Sequence, residues 1–186
     1  MDCSTKAIFF DIDGTLVDNQ TKRIPQSAVK AIARARENGH LCFINTGRTK
    51  KLVVPLVTSH ATFDGLLMGC GTEVVYQEKV LLHKTLPLEI SRRILDFLEQ
   101  NQIDAVLEGS DDIFVRDDAQ IYYDQFRAYV QEANYLHQIE RLDFREAPGR
   151  YDKFFAYTEN PAVMLQMRKE FEDELDFVDR ENGYYE

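Results

Sequence analysis

Apolar runs of strand length and stretches with helical spacing alternate along the first third of the chain. The stretch Lys6–Leu16 opens with an apolar run that stops at two acids, and residues 40–44 form a second apolar run. Between them, residues 25–38 place apolar side chains at helical spacing, with Pro near the start and Gly just past the end. The pattern predicts a right-handed strand–helix–strand unit with two parallel strands.

The following segments continue the alternation. A helix is predicted to begin near Thr49 and to kink or end early at Pro55, because proline lacks the backbone donor of a helical hydrogen bond. Phe63–Met68 predicts a third strand. Residues 72–76 and 79–83 are strand-like runs separated by Gln-Glu, which predicts a hairpin.

From Leu86 onward the pattern changes to helices and paired strands, which is typical of an α+β layer. The predicted elements are a helix at 88–100, strands at 103–107, 113–115 and 153–157, an aromatic helix at 121–130, and a helix from Asn160-Pro161 to Phe171. We therefore predict two domains, residues 1–84 and residues 85–186.

Composition sets bounds on the kind of protein. A chain of 186 residues with 44% apolar residues can fill one core or two small ones. The formal net charge of −10 repels nucleic-acid phosphates and anionic membrane surfaces, so neither is an expected partner. Charged residues scattered through the first twenty positions do not fit a signal peptide or a membrane span.

The cysteines point to a reducing compartment. Cys3, Cys42 and Cys70 are odd in number, and the latter two lie in apolar, strand-like runs. Such a pattern favours free, buried thiols over a disulfide framework. We therefore expect a cytoplasmic protein.

Candidate chemistry lies where the first strand ends. Because strand side chains alternate, Asp11 and Asp13 should face the same way, with Ile12 between them directed toward apolar packing. Two neighbouring carboxylates favour a divalent cation, and Mg²⁺ prefers such oxygens, so both acids are candidate metal ligands. One carboxylate can attack phosphorus while the other protonates the leaving oxygen and activates water. An Asp-rich turn without chemistry is the alternative.

The second strand ends at Asn45-Thr46-Gly47-Arg48. Parallel strands bring their carboxyl ends to one edge, so Thr46 should lie beside Asp11, where its hydroxyl and the following amides can bind phosphoryl oxygens. Arg48 either adds positive charge at the phosphate or caps the loop. Thr46, Gly47 and Arg48 are therefore the candidate substrate-binding residues.

Two of these stretches resemble motifs of a known family. Residues 9–16 resemble the first motif of haloacid dehalogenase superfamily phosphatases, and residues 45–48 resemble the second motif of the Cof-type branch. The resemblance implies that Asp11 is the nucleophile, Asp13 the general acid/base and Thr46 a phosphate-binding hydroxyl. It also implies a Rossmann-like parallel-sheet α/β core with Mg²⁺, and a large α+β cap domain inserted after the third core strand.

The chain departs from the family pattern in two places. Cys70-Gly71-Thr72 stands where the family usually has Asn-Gly-Ala, and no convincing equivalent is found for the family's Lys or its late acidic pair. Residues 177–186 resemble the last cap hairpin, so we expect the chain to stop before the third and fourth motifs. Such an incomplete core would expose apolar strand edges, which predicts possible self-association.

A capless enzyme is the alternative. In it, Lys84 would offset the charge of the phosphate, and Asp111-Asp112 would bind the metal. That alternative leaves the rest of the chain without a role, and Asp112 is more readily interpreted as part of a turn into a cap strand, as Lys153 is as a residue of a cap strand.

Taken together, the sequence predicts a Mg²⁺-dependent phosphomonoester hydrolase that acts through an aspartyl-phosphate. Its expected partner is a small phosphate ester, with sugar phosphates as the default class by analogy alone. The alternative function is a catalytically silent or truncated member of the family that binds phosphate, metal or a partner without turnover.

Overall fold

The computed structural model describes residues 4–186 except residues 19–20, 22, 54–59 and 116–140. Contacts divide the described chain into two units, one ending at Lys84 and one beginning at Thr85. No helix within the described ranges is both long enough and apolar enough to cross a bilayer.

The first unit contains a five-stranded sheet in the order β1-β2-β3-β4-β5. Its first three strands are parallel and its last two join as antiparallel neighbours, so the expected α/β fold with a parallel core is confirmed. The elements are β1 (Ala7–Phe10), α1 (Gln26–Glu37), β2 (Leu41–Asn45), β3 (Gly65–Met68), β4 (Glu73–Tyr76) and β5 (Lys79–His83).

The crossover helix α1 begins and ends where the sequence places its signals. Pro25 precedes the first helical residue, and Gly39, at φ +82°, reverses the chain after the last turn. Ile32 is the buried residue of α1, and it joins Cys42 and Ile44 of β2 in the core on one face of the sheet. Residues 50–53 are helical, and Pro55 lies outside the described residues.

The predicted hairpin is confirmed, with β4 and β5 antiparallel. Gln77 and Glu78 form its turn, and both have positive φ, at 47° and 66°. Two positive φ values match the twist of the strands in a tight turn, although Asn-Gly would adopt them with less strain. The pairing of β4 with β5 shifts beside Leu81, which is the extra residue of a bulge.

At the amino ends of the parallel strands, Asp64 ties three elements together. Its carboxylate accepts hydrogen bonds of 3.0 Å from Nε and Nη2 of Arg36, in the last turn of α1, and of 2.8 Å from the amide of Cys42. The Arg36 guanidinium holds the pKa of the Asp64 carboxyl below its usual value. The ionised carboxylate therefore stabilises the folded unit.

The second unit contains another five-stranded sheet, in the order β10-β9-β6-β7-β8. Only β7 and β8 are parallel. The elements are α2 (Leu88–Gln100), β6 (Asp104–Glu108), β7 (Ile113–Val115), β8 (Arg141–Asp143), β9 (Lys153–Tyr157), α3 (Pro161–Glu170) and β10 (Tyr184–Tyr185).

The expected helices and strands of this unit are found, apart from the aromatic helix at 121–130, which lies outside the described residues. The side chain of Asn160 accepts a hydrogen bond of 3.1 Å from the amide of Ala162, and Pro161 fills the first helical position of α3. Both helices pack on one face of the sheet through residues such as Leu98, Phe114 and Met167.

The first strand of this unit begins one residue later than expected because of the way α2 ends. The amide of Ile103 donates to the carbonyl of Leu98 and the amide of Gln102 donates to the carbonyl of Glu99, at 2.9 and 3.2 Å. This pair of hydrogen bonds is a Schellman motif. Because the amide of Ile103 is used in it, β6 begins only at Asp104. Gln102 occupies the left-handed position of the motif, at φ 52°.

The end of α2 allows a stability test. Gln102→Gly is expected to raise the free energy of unfolding by about 1 kcal/mol, because glycine adopts the left-handed conformation without a Cβ penalty. Gln100→Gly, inside the same helix, is the matched control and is expected to lower it by about 1 kcal/mol. Urea denaturation of both variants measures the two changes, and equal signs would contradict this account of the terminus.

Asp64 gives a pH-dependent prediction. Asp64→Asn should lower the free energy of unfolding at pH 7 by about 2 kcal/mol, because charged hydrogen bonds are lost. Since the folded-state pKa is depressed, this contribution is complete above the unfolded value of about 3.9 and disappears as the pH falls through the folded value. Urea denaturation at pH 7 and pH 3 should therefore show a smaller difference at pH 3, with the exposed Asp96→Asn as control. A difference independent of pH would contradict the prediction.

Candidate active site

The two acids of the first strand lie at its carboxyl end. Asp11 directly follows β1, and Asp11 and Asp13 are both exposed, whereas Ile12 between them is fully buried. The chain then turns tightly, since the amide of Leu16 donates to the carbonyl of Asp11 at 3.1 Å. Gly14 makes this turn possible with a φ of 74°. The turn presents two carboxylates to solvent just after β1, on either side of the buried Ile12.

Thr46 comes immediately after β2, the parallel neighbour of β1. Phe10 and Ile44 are register partners, so the two strands end at the same level of the sheet. Thr46 is buried, and its amide donates to the carbonyl of Leu67 on β3 at 2.9 Å. Its hydroxyl oxygen accepts from the amide of Arg48 at 3.3 Å. The hydroxyl proton is left to donate to a ligand oxygen.

Arg48 has a partner that sequence reasoning did not anticipate. Its Nε and Nη2 atoms donate to the two carboxylate oxygens of Asp13 at 2.9 and 2.6 Å. The Arg48 side chain is 10% exposed and the Asp13 side chain 47% exposed, so the guanidinium is the anchored member of the pair. This bidentate pair joins the loop after β1 to the loop after β2. No sequence pattern signals it, because the residues are 35 positions apart.

A third loop supports the second. The amide of Gly69 donates to the carbonyl of Arg48 at 2.8 Å, and the amide of Cys70 donates to the carbonyl of Thr46 at 3.4 Å. Gly69 has a φ of 59°, a left-handed conformation that favours glycine, and a Cβ there would lie 2.1 Å from the hydroxyl oxygen of Thr72, which would have to turn away. The turn after β3 thus holds the backbone around Thr46 and Gly47.

Cys70 corrects one expectation. Cys42 is buried and Cys70 is exposed, and both are free thiols. The prediction that both are buried is therefore wrong for Cys70, because β3 already ends at Met68 and Cys70 lies in the following turn. Cys3 lies outside the described residues.

The donor set at this edge suits a hard cation. Asp11 and Asp13 offer exposed carboxylate oxygens, and Mg²⁺ is commonly held by one or two carboxylates together with waters and phosphate oxygens. Within the described ranges, no group of three or more His, Cys, Asp or Glu side chains is placed to hold a metal ion. Two carboxylates suit a Mg²⁺ whose other ligands are waters and phosphate oxygens.

The residues of the capless alternative are divided between the two units. Lys84 ends the first unit, whereas Asp111 and Asp112 belong to the second. Asp112 lies in the turn between β6 and β7, where its backbone carbonyl accepts a hydrogen bond of 2.9 Å from the amide of Gly109. Its carboxylate forms an ion pair with Arg150. Lys153 is a residue of β9, and its ammonium pairs with Glu108 and Glu186.

Comparison with known sequences extends these observations. A family model described as haloacid dehalogenase-like hydrolase matches residues 8–186. YkrA of Bacillus subtilis (strain 168) is 34% identical over 107 residues, which are 58% of this chain and 41% of YkrA. Pyridoxal phosphate phosphatase YbhA of Escherichia coli (strain K12) is 27% identical over 138 residues, which are 73% of this chain and 48% of YbhA. The chain spans about half the length of these curated relatives.

Solved structures share the fold. The sugar phosphatase BT4131, of HAD subclass IIB, superposes with a TM-score of 0.75 at 24% identity, covering 97% of this chain and 68% of its own. The phosphatase BT1666 from Bacteroides thetaiotaomicron gives a TM-score of 0.75 at 20% identity, covering 97% and 65%. At these identities the likeness establishes the architecture.

The pair that joins the two loops can be tested by a double-mutant cycle. Replacing Arg48 and Asp13 by Ala, singly and together, should give a coupling free energy of about 1 kcal/mol, because the pair is bidentate and its arginine is nearly buried. The exposed pair Arg145 and Glu99, whose charged atoms are 3.8 Å apart, is the control. Its coupling should stay below about 0.3 kcal/mol. Equal coupling free energies for the two pairs, measured by urea denaturation, would contradict the conclusion that Arg48 and Asp13 join the two loops.

Proposed function

Because the chain belongs to the haloacid dehalogenase-like hydrolase family, we propose that it carries the nucleophilic half of a phosphomonoester hydrolase of the Cof-type branch. The observation that supports this most directly is the pair of exposed carboxylates at the end of β1, beside a parallel strand that ends at the Thr46 hydroxyl. The resemblance noted in residues 9–16 and 45–48 lies within the matched range.

The proposed reaction proceeds in two steps. A carboxylate oxygen of Asp11 attacks the phosphorus in line, forming an aspartyl-phosphate while the bond to the leaving oxygen breaks. Asp13 gives its proton to the departing alkoxide. It then takes a proton from water, which attacks the phosphorus and releases Asp11 and inorganic phosphate.

Other groups stabilise the phosphoryl charge. The Thr46 hydroxyl donates to a phosphoryl oxygen, and the amide of Gly47 lies next to it in the same loop. Asp11 and Asp13 would hold Mg²⁺, and the bound ion would supply positive charge to offset that of the phosphoryl oxygens.

The substrate in this proposal is a small phosphorylated metabolite. YbhA is named for pyridoxal phosphate and BT4131 for sugar phosphates, which keeps both classes open. The net charge of −10 argues against nucleic-acid and membrane partners, and the free thiols of Cys42 and Cys70 suit the cytoplasm. We take residues 85–186 as the α+β cap, because the family match runs continuously through both units.

A second candidate is binding without turnover. It is favoured by one observation: the Asp13 carboxylate is already held by Arg48 with two hydrogen bonds. Calorimetric binding of Mg²⁺ and inorganic phosphate, in a protein that hydrolyses no phosphate ester, would support this candidate.

Asp11 gives the decisive test. Asp11→Asn should reduce hydrolysis of a model phosphate ester in Mg²⁺ by at least about a thousandfold, because the amide cannot form the phosphoryl intermediate. Asp96→Asn, which removes the same charge from an exposed helical position, should retain activity. Activity that is lost on chelation with EDTA and returns on addition of Mg²⁺ would support dependence of the reaction on Mg²⁺. Turnover that survives Asp11→Asn would contradict the nucleophile assignment.

A further inference from the structure

The outer strand of the hairpin, β5, exposes an unbroken apolar run at the edge of its sheet. Val80, Leu81 and Leu82 are 58%, 64% and 38% exposed, and Lys79 and His83 on either side are exposed as well. None of the three apolar residues belongs to the core of the first unit. Within the described part of the chain, β5 pairs only with β4. The outward backbone groups of such a strand are a template for a further strand.

The exposure does not follow from the fold of one copy. A strand packed on one face alternates between buried and exposed residues. The opposite edge, β1, does alternate, and Phe9 is its exposed large side chain, whereas three consecutive aliphatic side chains of β5 meet water. Contiguous apolar surface of this kind marks an interaction site.

We propose that β5 pairs with β5 of a second copy of this chain, joining two five-stranded sheets into one continuous sheet. In a two-fold symmetric dimer the same strand meets itself, and it can do so only in the antiparallel sense. Each copy then completes the hydrogen bonding of the other's edge, and the exposed aliphatic residues cover one another.

Charge complementarity selects the register. With the two-fold axis at Leu81, Val80 of each copy lies opposite Leu82 of the other. Glu78, the turn residue just before β5, then comes level with Lys84, the residue just after it. Glu78 and Lys84 are both exposed, and they form two symmetric pairs of opposite charge at the ends of the apolar run. Lys79 then lies opposite His83, so neither lysine faces another lysine. Opposite charges across neighbouring strands stabilise pairing, and like charges destabilise it.

The bulge limits the strength of this contact. Leu81 is the residue that has no partner on β4, so regular pairing runs in two short stretches on either side of it. The interface is therefore small, and we expect a dissociation constant on the order of 10 µM.

Sedimentation velocity over about 1 to 300 µM of the full chain tests the proposal, with concentrations chosen to bracket the expected constant. Leu81→Lys should weaken dimerisation at least about thirtyfold, since it places two ammonium groups at the axis. Leu165→Lys is the matched control, because Leu165 is 65% exposed on α3 of the other unit, and it should leave the dimer unchanged. Phe9→Lys probes the rival edge and should also leave it unchanged.

Charge reversal tests the register. Glu78→Lys and Lys84→Glu should each weaken the dimer about tenfold, because each places like charges opposite one another twice. The double variant should return to within about threefold of the wild type. A wild-type chain that stays monomeric at the highest concentration overturns the proposal. So does a dimer insensitive to Leu81→Lys, one broken by Phe9→Lys, or one whose two charge reversals fail to compensate.

Discussion

The parallel pairing of β1 with β2 is the constraint on which the candidate site depends. Neither strand carries chemistry within its own span. Because Phe10 is paired with Ile44, the residues that follow the two strands emerge at one level of the sheet. Asp11 and Asp13 come from one strand, and Thr46 and Arg48 from the other. A shift of register by one residue would turn the side chains of one strand to the opposite face and separate the two sets.

Two further layers hold the loops once the strands have ended. The first is electrostatic, since Arg48 binds both oxygens of Asp13 across the gap between the loops. The second is made of backbone, since the turn at Gly69 bonds the carbonyl of Arg48. The second layer favours glycine at position 69, where the backbone is left-handed and a Cβ would meet the Thr72 hydroxyl. Together they preorganise a site that lies entirely on loops.

The sequence predicted the architecture well because its signals are local. Pro25, Gly39 and the Asn160-Pro161 pair mark helix ends, and the strands of the hairpin read directly from their composition. The acids and the threonine were found because each closes an apolar run. The partner of Arg48 was not predicted, because it depends on where two distant loops meet. The exposure of Cys70 was not predicted either, because it depends on where β3 ends. The strand after α2 begins one residue later than predicted because the amide of Ile103 bonds to the last turn of the helix.

The position of Asp64 determines which parts of this sheet can accept substitutions independently of one another. It binds Arg36 and the amide of Cys42 where the parallel strands begin, whereas the carboxylates of the loops lie where they end. The contacts that stabilise the sheet and the carboxylates of the candidate site thus lie at opposite ends of the parallel strands. Substitutions around Asp64 can change the stability of the sheet without altering the loops at the other end, and those loops can change without weakening the contacts of Asp64.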